Sequence, residues 1–242
     1  MSKFRHAALT VFLWLLAGCA STGHRVKSDP IEPFNRGVYQ FNDAIDRGAL
    51  KPAAKAYVKV TPDWFRTGVG NFFTNLGTPT TIVNEVLQGK VVPAGQDTLR
   101  FLINTTLGWG GVLDVASGAN LPMHEEDSGQ TLGRWGVPAG PYLVLPFLGP
   151  ASLRDAPARI ADDFSRPLHW YNSDATRWGS LALNALDTRA RFLPLDETLA
   201  QTYDPYAFIR EAYLQRRQFQ VYDGNPPEQP IEEDFEEDEA GQ

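Results

Sequence analysis

Apolar residues recur along most of this chain at helical rather than strand spacing. Phe34, Val38, Phe41 and Ile45 stand at i, i+4, i+7 and i+11, which is one face of a helix. Asp29-Pro30, with Glu32 three residues past the aspartate, reads as the N-cap and first turn of that helix. Thr61-Pro62 and Thr78-Pro79 repeat the cap-then-proline pattern and predict helices over 62–75 and 79–88, the second stopped by Gly89. Leu99, Leu102, Ile103 and Thr106 share one side of a helix predicted over 94–107. Ser152 is placed to cap 153–163, Ser173 or Asp174 to cap 175–192, and Asp204-Pro205 opens 205–222 with Phe208, Ala212 and Phe219 on one face. The periodicity fails once. Between 108 and 150 closely spaced glycines, from Gly108 to Gly149, read as turns, short helices and close backbone approaches. Within that region Tyr142-Leu143-Val144-Leu145, fully apolar between Pro141 and Pro146, is the best strand candidate. The expected fold is mainly α, with one principal domain over 29–222 and no internal repeat.

The two ends read differently from this body. Lys3 and Arg5 precede an apolar run from Ala7 to Ala17, broken only by Thr10. That run is too short to span a hydrocarbon core, which needs roughly 20 helical residues, so it reads as a secretory signal. Leu16-Ala17-Gly18-Cys19 resembles the lipobox of bacterial lipoproteins, and Cys19 is the sole cysteine. The expectation is a signal peptide over 1–18 and a linker over 19–28 that starts at a lipidated Cys19. With one cysteine, no intramolecular disulfide is possible. A single acyl chain holds a protein to a bilayer only marginally, whereas several act as a lasting anchor. At the far end, 223–242 is expected to be a solvated acidic tail, because Glu228 to Glu239 holds eight acidic residues and no basic one.

The tail accounts for most of the net charge of −7, since Cys19 to Tyr222 carries 20 basic and 20 acidic residues. A neutral body without a Lys/Arg block gives no reason to expect a nucleic-acid partner. No stretch beyond the signal has the 18 consecutive apolar residues of a spanning helix. Catalytic patterns are sparse. There is neither a Gly-x-Ser-x-Gly elbow nor a phosphate-binding P-loop, and Gly129 to Gly133 reads as turn glycines. His124-Glu125-Glu126-Asp127 carries metal-capable side chains, but consecutive residues cannot all face one ion, so a solvated loop is expected and no metal. His169, between Leu168 and Trp170, reads as packed; as a base it would need a serine nucleophile that the sequence does not point out. Aromatic residues are spread along the body, among them Trp64, Trp109, Trp135 and Trp178, and such rings favour membrane interfaces when they are not simply core.

Several segments together resemble one family. Asp29-Pro30-Ile31-Glu32-Pro33-Phe34-Asn35-Arg36 and Tyr39-Gln40-Phe41-Asn42 are similar to the opening of the MlaA (VacJ) family. Asn71-Phe72-Phe73-Thr74-Asn75-Leu76, Asn84-Glu85-Val86-Leu87-Gln88-Gly89, Arg100-Phe101-Leu102-Ile103-Asn104, Thr131-Leu132-Gly133-Arg134-Trp135-Gly136, Leu145-Pro146-Phe147, Leu153-Arg154-Asp155 and Asp204-Pro205-Tyr206 follow in the family's order. The resemblance spans roughly 29 to 220. It implies a ring-like arrangement of amphipathic helices around a central channel, seated in the inner leaflet of the outer membrane and anchored there by lipid on the periplasmic side. Ala20 after Cys19 fits outer-membrane sorting. The implied function is to extract mislocalised phospholipids from the outer leaflet and pass them to a periplasmic MlaC-like carrier, with trimeric porin as a further partner and no cofactor. Phe41, Asn42, Tyr142, Leu143, Val144, Leu145 and Phe147 are the expected channel or gate residues, in a hairpin or pore rim. Arg134 and Arg154 are the headgroup candidates, because a guanidinium pairs with phosphate bidentately. A core contact is the plain alternative for Phe41, and a salt bridge to a nearby aspartate is the plain alternative for each arginine. A passive porin-associated structural lipoprotein and a phospholipase are the competing functions.

Overall fold

In a computed structural model of the chain, residues 28–167 and 173–227 are described. The signal segment, Cys19, His24, His169 and the acidic run from Glu228 lie outside them. The described chain is mainly helical. Helix α1 (Glu32–Ile45) passes through a π-helical turn (Asp46–Leu50) directly into α2 (Lys51–Val60). Then come α3 (Asp63–Leu87), α4 (Val91–Thr106), the short α5 (Val115–Gly118) and α6 (Ser128–Arg134). Strands β1 (Tyr142–Leu145) and β2 (Gly149–Ser152) form an antiparallel hairpin, with Tyr142 opposite Ser152 and Leu145 opposite Gly149. Helices α7 (Asp155–Ser165), α8 (Asp174–Phe192), α9 (Asp196–Gln201) and α10 (Pro205–Val221) complete the body, with a 3-10 turn (Leu193–Leu195) before α9.

The caps expected at two later helices are present: Ser173 Oγ accepts from the Thr176 amide, and Asp204 accepts from the Ala207 amide. Ser152, expected to cap 153–163, ends β2 instead; its hydroxyl accepts from the Asp155 amide, but the N-cap of α7 is Arg154, which provides no side-chain bond. Two expectations near the N-terminal half fail. Thr78-Pro79 opens no helix, because α3 runs 25 residues straight through Pro79. A proline inside a helix removes one backbone bond and crowds the preceding turn. Packing of α3 along α4, and against α8 further back, outweighs that cost. Asp29 is not the cap of α1 either. The N-cap position falls on Ile31, which provides no side-chain bond.

Asp29 is instead a buried junction between the two ends of the domain. Its carboxylate accepts from Asn35 Nδ2 at 2.7 Å and from the Tyr206 hydroxyl, and Arg210 of α10 lies 3.2 Å away. Arg36 adds a bidentate pair to Asp204 at 3.1 and 2.6 Å, and its guanidinium stacks 4.3 Å from the Tyr206 ring centre. Asn35 extends the junction to the hairpin. Its Nδ2 donates to the Tyr142 carbonyl at 2.9 Å, and its Oδ1 accepts from the Val144 amide at 3.0 Å. Tyr142, Val144 and Tyr206 make the apolar core beside this network, with Val38, Tyr39, Tyr213 and Leu214 against it. A second small core joins Ala54 and Tyr57 of α2 to Ala190 of α8.

Asn35→Ala should therefore do more damage than an ordinary polar-to-alanine change. It takes the Asn35 bond from the Tyr142 carbonyl and the Val144 amide, each costing about 1–3 kcal/mol, and one of its three partners from buried Asp29. The expected loss of unfolding free energy is about 3 kcal/mol or more, measured by urea titration followed by circular dichroism. A loss below about 1 kcal/mol would mean that the junction does not hold the hairpin.

Candidate functional site

The helices turn the wrong way for a protein packed around an oily centre. Among the described residues, 18 polar or charged side chains are buried against 11 apolar ones, and the apolar set is largely alanine and tyrosine. The apolar stripes read from the sequence face outward. Phe34 and Phe41 of α1, Leu99 and Leu102 of α4, and Phe208 and Phe219 of α10 are all exposed. On the same helices the buried positions are Asn35, then Ala94, Asp97, Arg100 and Asn104, then Tyr206, Arg210 and Val221, with polar side chains in the majority. Trp109 is 81% exposed, Val91 77% and Trp64 75%. Large apolar side chains exposed in this number suit an apolar neighbour.

The polar interior surrounds a cavity of about 620 Å³. Helix α3 contributes Phe73, Thr74, Thr78 and Thr81, α4 contributes Asp97, and the segment before α6 contributes His124, Glu125, Glu126 and Asp127. Asp162, Arg159 and Arg166 enter from α7 and its end, and Tyr213, Arg216, Arg217 and Gln220 from α10. The hairpin closes one side with Leu148 and Pro150. Two further hollows, of about 540 and 140 Å³, share Thr74 with the first, so the inner side of α3 runs along all three. Among the described residues, no helix is long and apolar enough to cross a membrane.

The wall is held by charge pairs rather than by packing alone. Arg217 donates to Asp127 at 2.6 and 2.9 Å and to Asp155 at 3.0 Å. Asp155 also accepts from Arg154 at 2.8 Å and from the Tyr213 hydroxyl at 2.7 Å. Burial by itself would raise the Asp155 carboxyl, but the bonds from Arg154 and Arg217 outweigh it and hold the group well below the usual carboxylate range. Asp127 follows the same pattern through Arg217. Gly129 and Gly133, read as turn glycines, lie inside α6. A side chain at Gly129 would collide with the Asp155 carboxylate and Arg217, which is why this helix carries glycine there. The segment His124 to Asp127 is not the solvated loop expected. Asp127 caps α6 through the Gln130 amide, and Glu126 pairs with Lys90 at 2.6 Å.

The structure brings most of the sequence-predicted gate residues together. Asn42 Nδ2 donates to the Leu145 carbonyl at 3.0 Å, and Asn42 Oδ1 accepts from the Phe147 amide at 2.8 Å. The Phe41 and Phe147 rings meet edge to face at 5.4 Å. Phe147 has a positive φ of 63°, a strained conformation for a phenylalanine, and is 73% exposed at the hairpin tip. Tyr142 and Val144 point into the core at the hairpin base, while Leu143 and Leu145 are half-buried. The two arginines sit apart. Arg154 is buried against Asp155, the salt bridge foreseen as its alternative, whereas Arg134 keeps about half its side chain exposed and lies 3.6 Å from Asp223. Sequence reading passed over Glu85 and Asp97, which meet His124 from α3 and α4. The available signal was the polar stripe Asp97, Arg100 and Asn104 inside an apolar helix.

A helical body with many exposed apolar side chains and a cavity lined by both polar and apolar groups has the make-up of a protein that works against lipid. The comparisons with known proteins agree with that class. The family model for the MlaA lipoprotein matches residues 27–220, and the chain belongs to this family. A relative from Escherichia coli called "Intermembrane phospholipid transport system lipoprotein MlaA" is 40% identical over 96% of this chain and 97% of its own length. One of the same name from Haemophilus influenzae is 34% identical over 86% and 87%. A solved structure described as "Structural basis for maintenance of bacterial outer membrane lipid asymmetry" superposes with a TM-score of 0.72 at 38% identity, covering 80% of this chain and 99% of that one.

The charge pairs fix how this wall responds to acid. Because Asp155 and Asp127 titrate lower when folded than when unfolded, their contribution is complete above the unfolded value of about 4 and is lost as pH falls through the folded one. The part of the thermal midpoint that these two carboxylates supply should stay level from about pH 7 to 5 and be lost below about pH 4. Asp155→Asn should lower stability at neutral pH by about 3 kcal/mol, because buried Arg154 loses its charge partner and Arg217 is left with Asp127 alone, and should flatten the acid decline. A variant that keeps the full acid decline would place its origin elsewhere.

Proposed function

We propose that this protein moves phospholipid through its polar cavity as the outer-membrane lipoprotein of an intermembrane phospholipid transport system, and so maintains lipid asymmetry. The observation that carries the reading is the inverted burial around the 620 Å³ cavity. Exposed apolar faces suit a body sunk among acyl chains, and binding there grows with the apolar area buried. The cavity offers polar wall to a headgroup, and Leu148 and Phe73 on the same wall offer apolar surface. The domain organisation that goes with this function is a signal over 1–18, a linker from a lipidated Cys19, a body over 29–222 and an acidic tail. A trimeric porin would hold the body in place, and a soluble MlaC-like periplasmic carrier would take up the lipid. Arg134 remains the headgroup candidate at the surface, whereas Arg154 serves by holding Asp155. No reaction is needed for this work, and we read the protein as a conduit rather than an enzyme. Direction must come from its partners, because nothing in the body couples to an energy source.

The test is native mass spectrometry with lipid extraction on protein purified from outer membranes in mild detergent. Co-purified phospholipid together with a porin trimer is the expected result. A porin without lipid would favour the scaffold reading, and lysophospholipid accumulating over time would overturn the conduit in favour of a phospholipase.

The hairpin is the proposed gate, and Asn42 is its latch. Asn42→Ala removes two hydrogen bonds worth together about 2 kcal/mol. That would shift the ratio of closed to open hairpin by roughly 30-fold. Transfer of a fluorescent phospholipid from vesicles should then change several-fold in rate while the far-ultraviolet dichroism stays the same. An unchanged rate, in a variant whose hairpin amides exchange faster, would separate the hairpin from transport.

A further inference from the structure

We propose that Glu85, Asp97 and His124 form a binding site for one divalent transition-metal ion, zinc fitting best, in the wall of the cavity. The three residues come from separate elements, α3, α4 and the extended segment before α6, and each offers one ligand atom within 4.8 Å of the others. His124 Nδ1 lies 2.8 Å from Asp97 Oδ2 and 3.6 Å from Glu85 Oε1. Around a tetrahedral zinc ion, bonds of about 2.0–2.2 Å set neighbouring ligand atoms roughly 3.4 Å apart. The two separations from His124 bracket that spacing, and the two carboxylates lie within 4.8 Å of each other.

Glu85 supplies the second, independent observation. It is fully buried, and neither carboxylate oxygen receives a hydrogen bond from a donor among the described residues. Its neighbour Asp97 is also buried, so two carboxylates face each other out of water, an arrangement that calls for a cation or a shared proton. The nearby cations are committed elsewhere. Lys90 bonds to Glu126 at 2.6 Å and to Asp223. Arg100 donates to Asp114 at 3.0 and 3.1 Å and comes no nearer to Asp97 than 4.0 Å.

The ligand set selects the ion. One imidazole and two carboxylates suit zinc or a similar borderline ion, whereas calcium and magnesium prefer oxygen-only shells of six or more ligands. Three protein ligands leave a fourth position open, and because Asp97 and His124 line the cavity, that position faces into it.

The experiment is isothermal titration of the untagged full chain in detergent with zinc chloride, paired with the visible spectrum of the cobalt-substituted protein. The expected result is one zinc per chain. His124→Ala should weaken it by more than the roughly 10–100-fold that loss of an outer-shell partner costs, and should remove the cobalt band. Glu85→Gln should do the same. His124 is partly exposed, so its alanine variant tests the site even if Glu85→Gln fails to fold. Zinc bound equally well by His124→Ala, or no zinc bound by the wild type, would overturn the proposal and leave the two carboxyls to share a proton.

Discussion

A body that turns its apolar faces outward has to satisfy its interior polar groups with one another, and this constraint governs the rest of the structure. A buried polar group costs little when paired and several kcal/mol when not. The interior is accordingly written as closed sets: Asp29 with Asn35, Tyr206 and Arg210; Asp155 with Arg154, Arg217 and Tyr213; Asp114 with Arg100, Asn104 and Ser117. The first two sets join elements far apart in the chain and the third ties neighbouring ones, so polar pairing does here what an apolar core does elsewhere. The small cores around Tyr142 and Ala54 fill the space between these sets and do not replace them.

The same constraint explains what could be read in advance. Helical spacing was legible because period alone does not depend on which face is buried. Boundaries set by caps at Ser173 and Asp204 were legible because a cap is a local bond. What failed was anything decided by distant residues. Asp29 looks like a cap, yet its carboxylate is claimed by Tyr206 and Arg210, nearly the whole domain away in sequence. Thr78-Pro79 looks like a start, yet neighbouring helices hold α3 straight through it. The candidate site divides in the same way. Phe41 and Asn42 could be tied to the Tyr142 to Phe147 segment through resemblance. Glu85 and Asp97 could not be tied to His124, because three separate elements bring them together.

The family assignment and the geometry support each other at different levels. Family membership speaks to the whole chain, and its relatives are named for phospholipid transport. The geometry explains why such a chain can hold lipid without a spanning helix. Exposed residues such as Trp109 and Val91 supply the outer apolar surface that a spanning segment would otherwise supply. The threonine-rich inner side of α3 keeps the lumen wet enough for a headgroup.

The hairpin shows how one element can be fixed at one end and loose at the other. Its base is locked, because Asn35 holds both the Tyr142 carbonyl and the Val144 amide beside the Asp29 junction. Its tip depends on Asn42 and on one exposed ring pair, Phe41 with Phe147. Two hydrogen bonds at about 1 kcal/mol each and an aromatic pair of about 0.5–1.5 kcal/mol give the closed tip roughly 3 kcal/mol. Against that stands the left-handed conformation of Phe147, which costs of order 1–3 kcal/mol and is relieved when the turn opens. The two sums nearly cancel at the tip, while nothing comparable opposes the base. In the gate proposed above, a lipid arriving at the cavity would need to shift only a small balance at Leu148 and Phe147 and would not disturb the junction that holds the domain together.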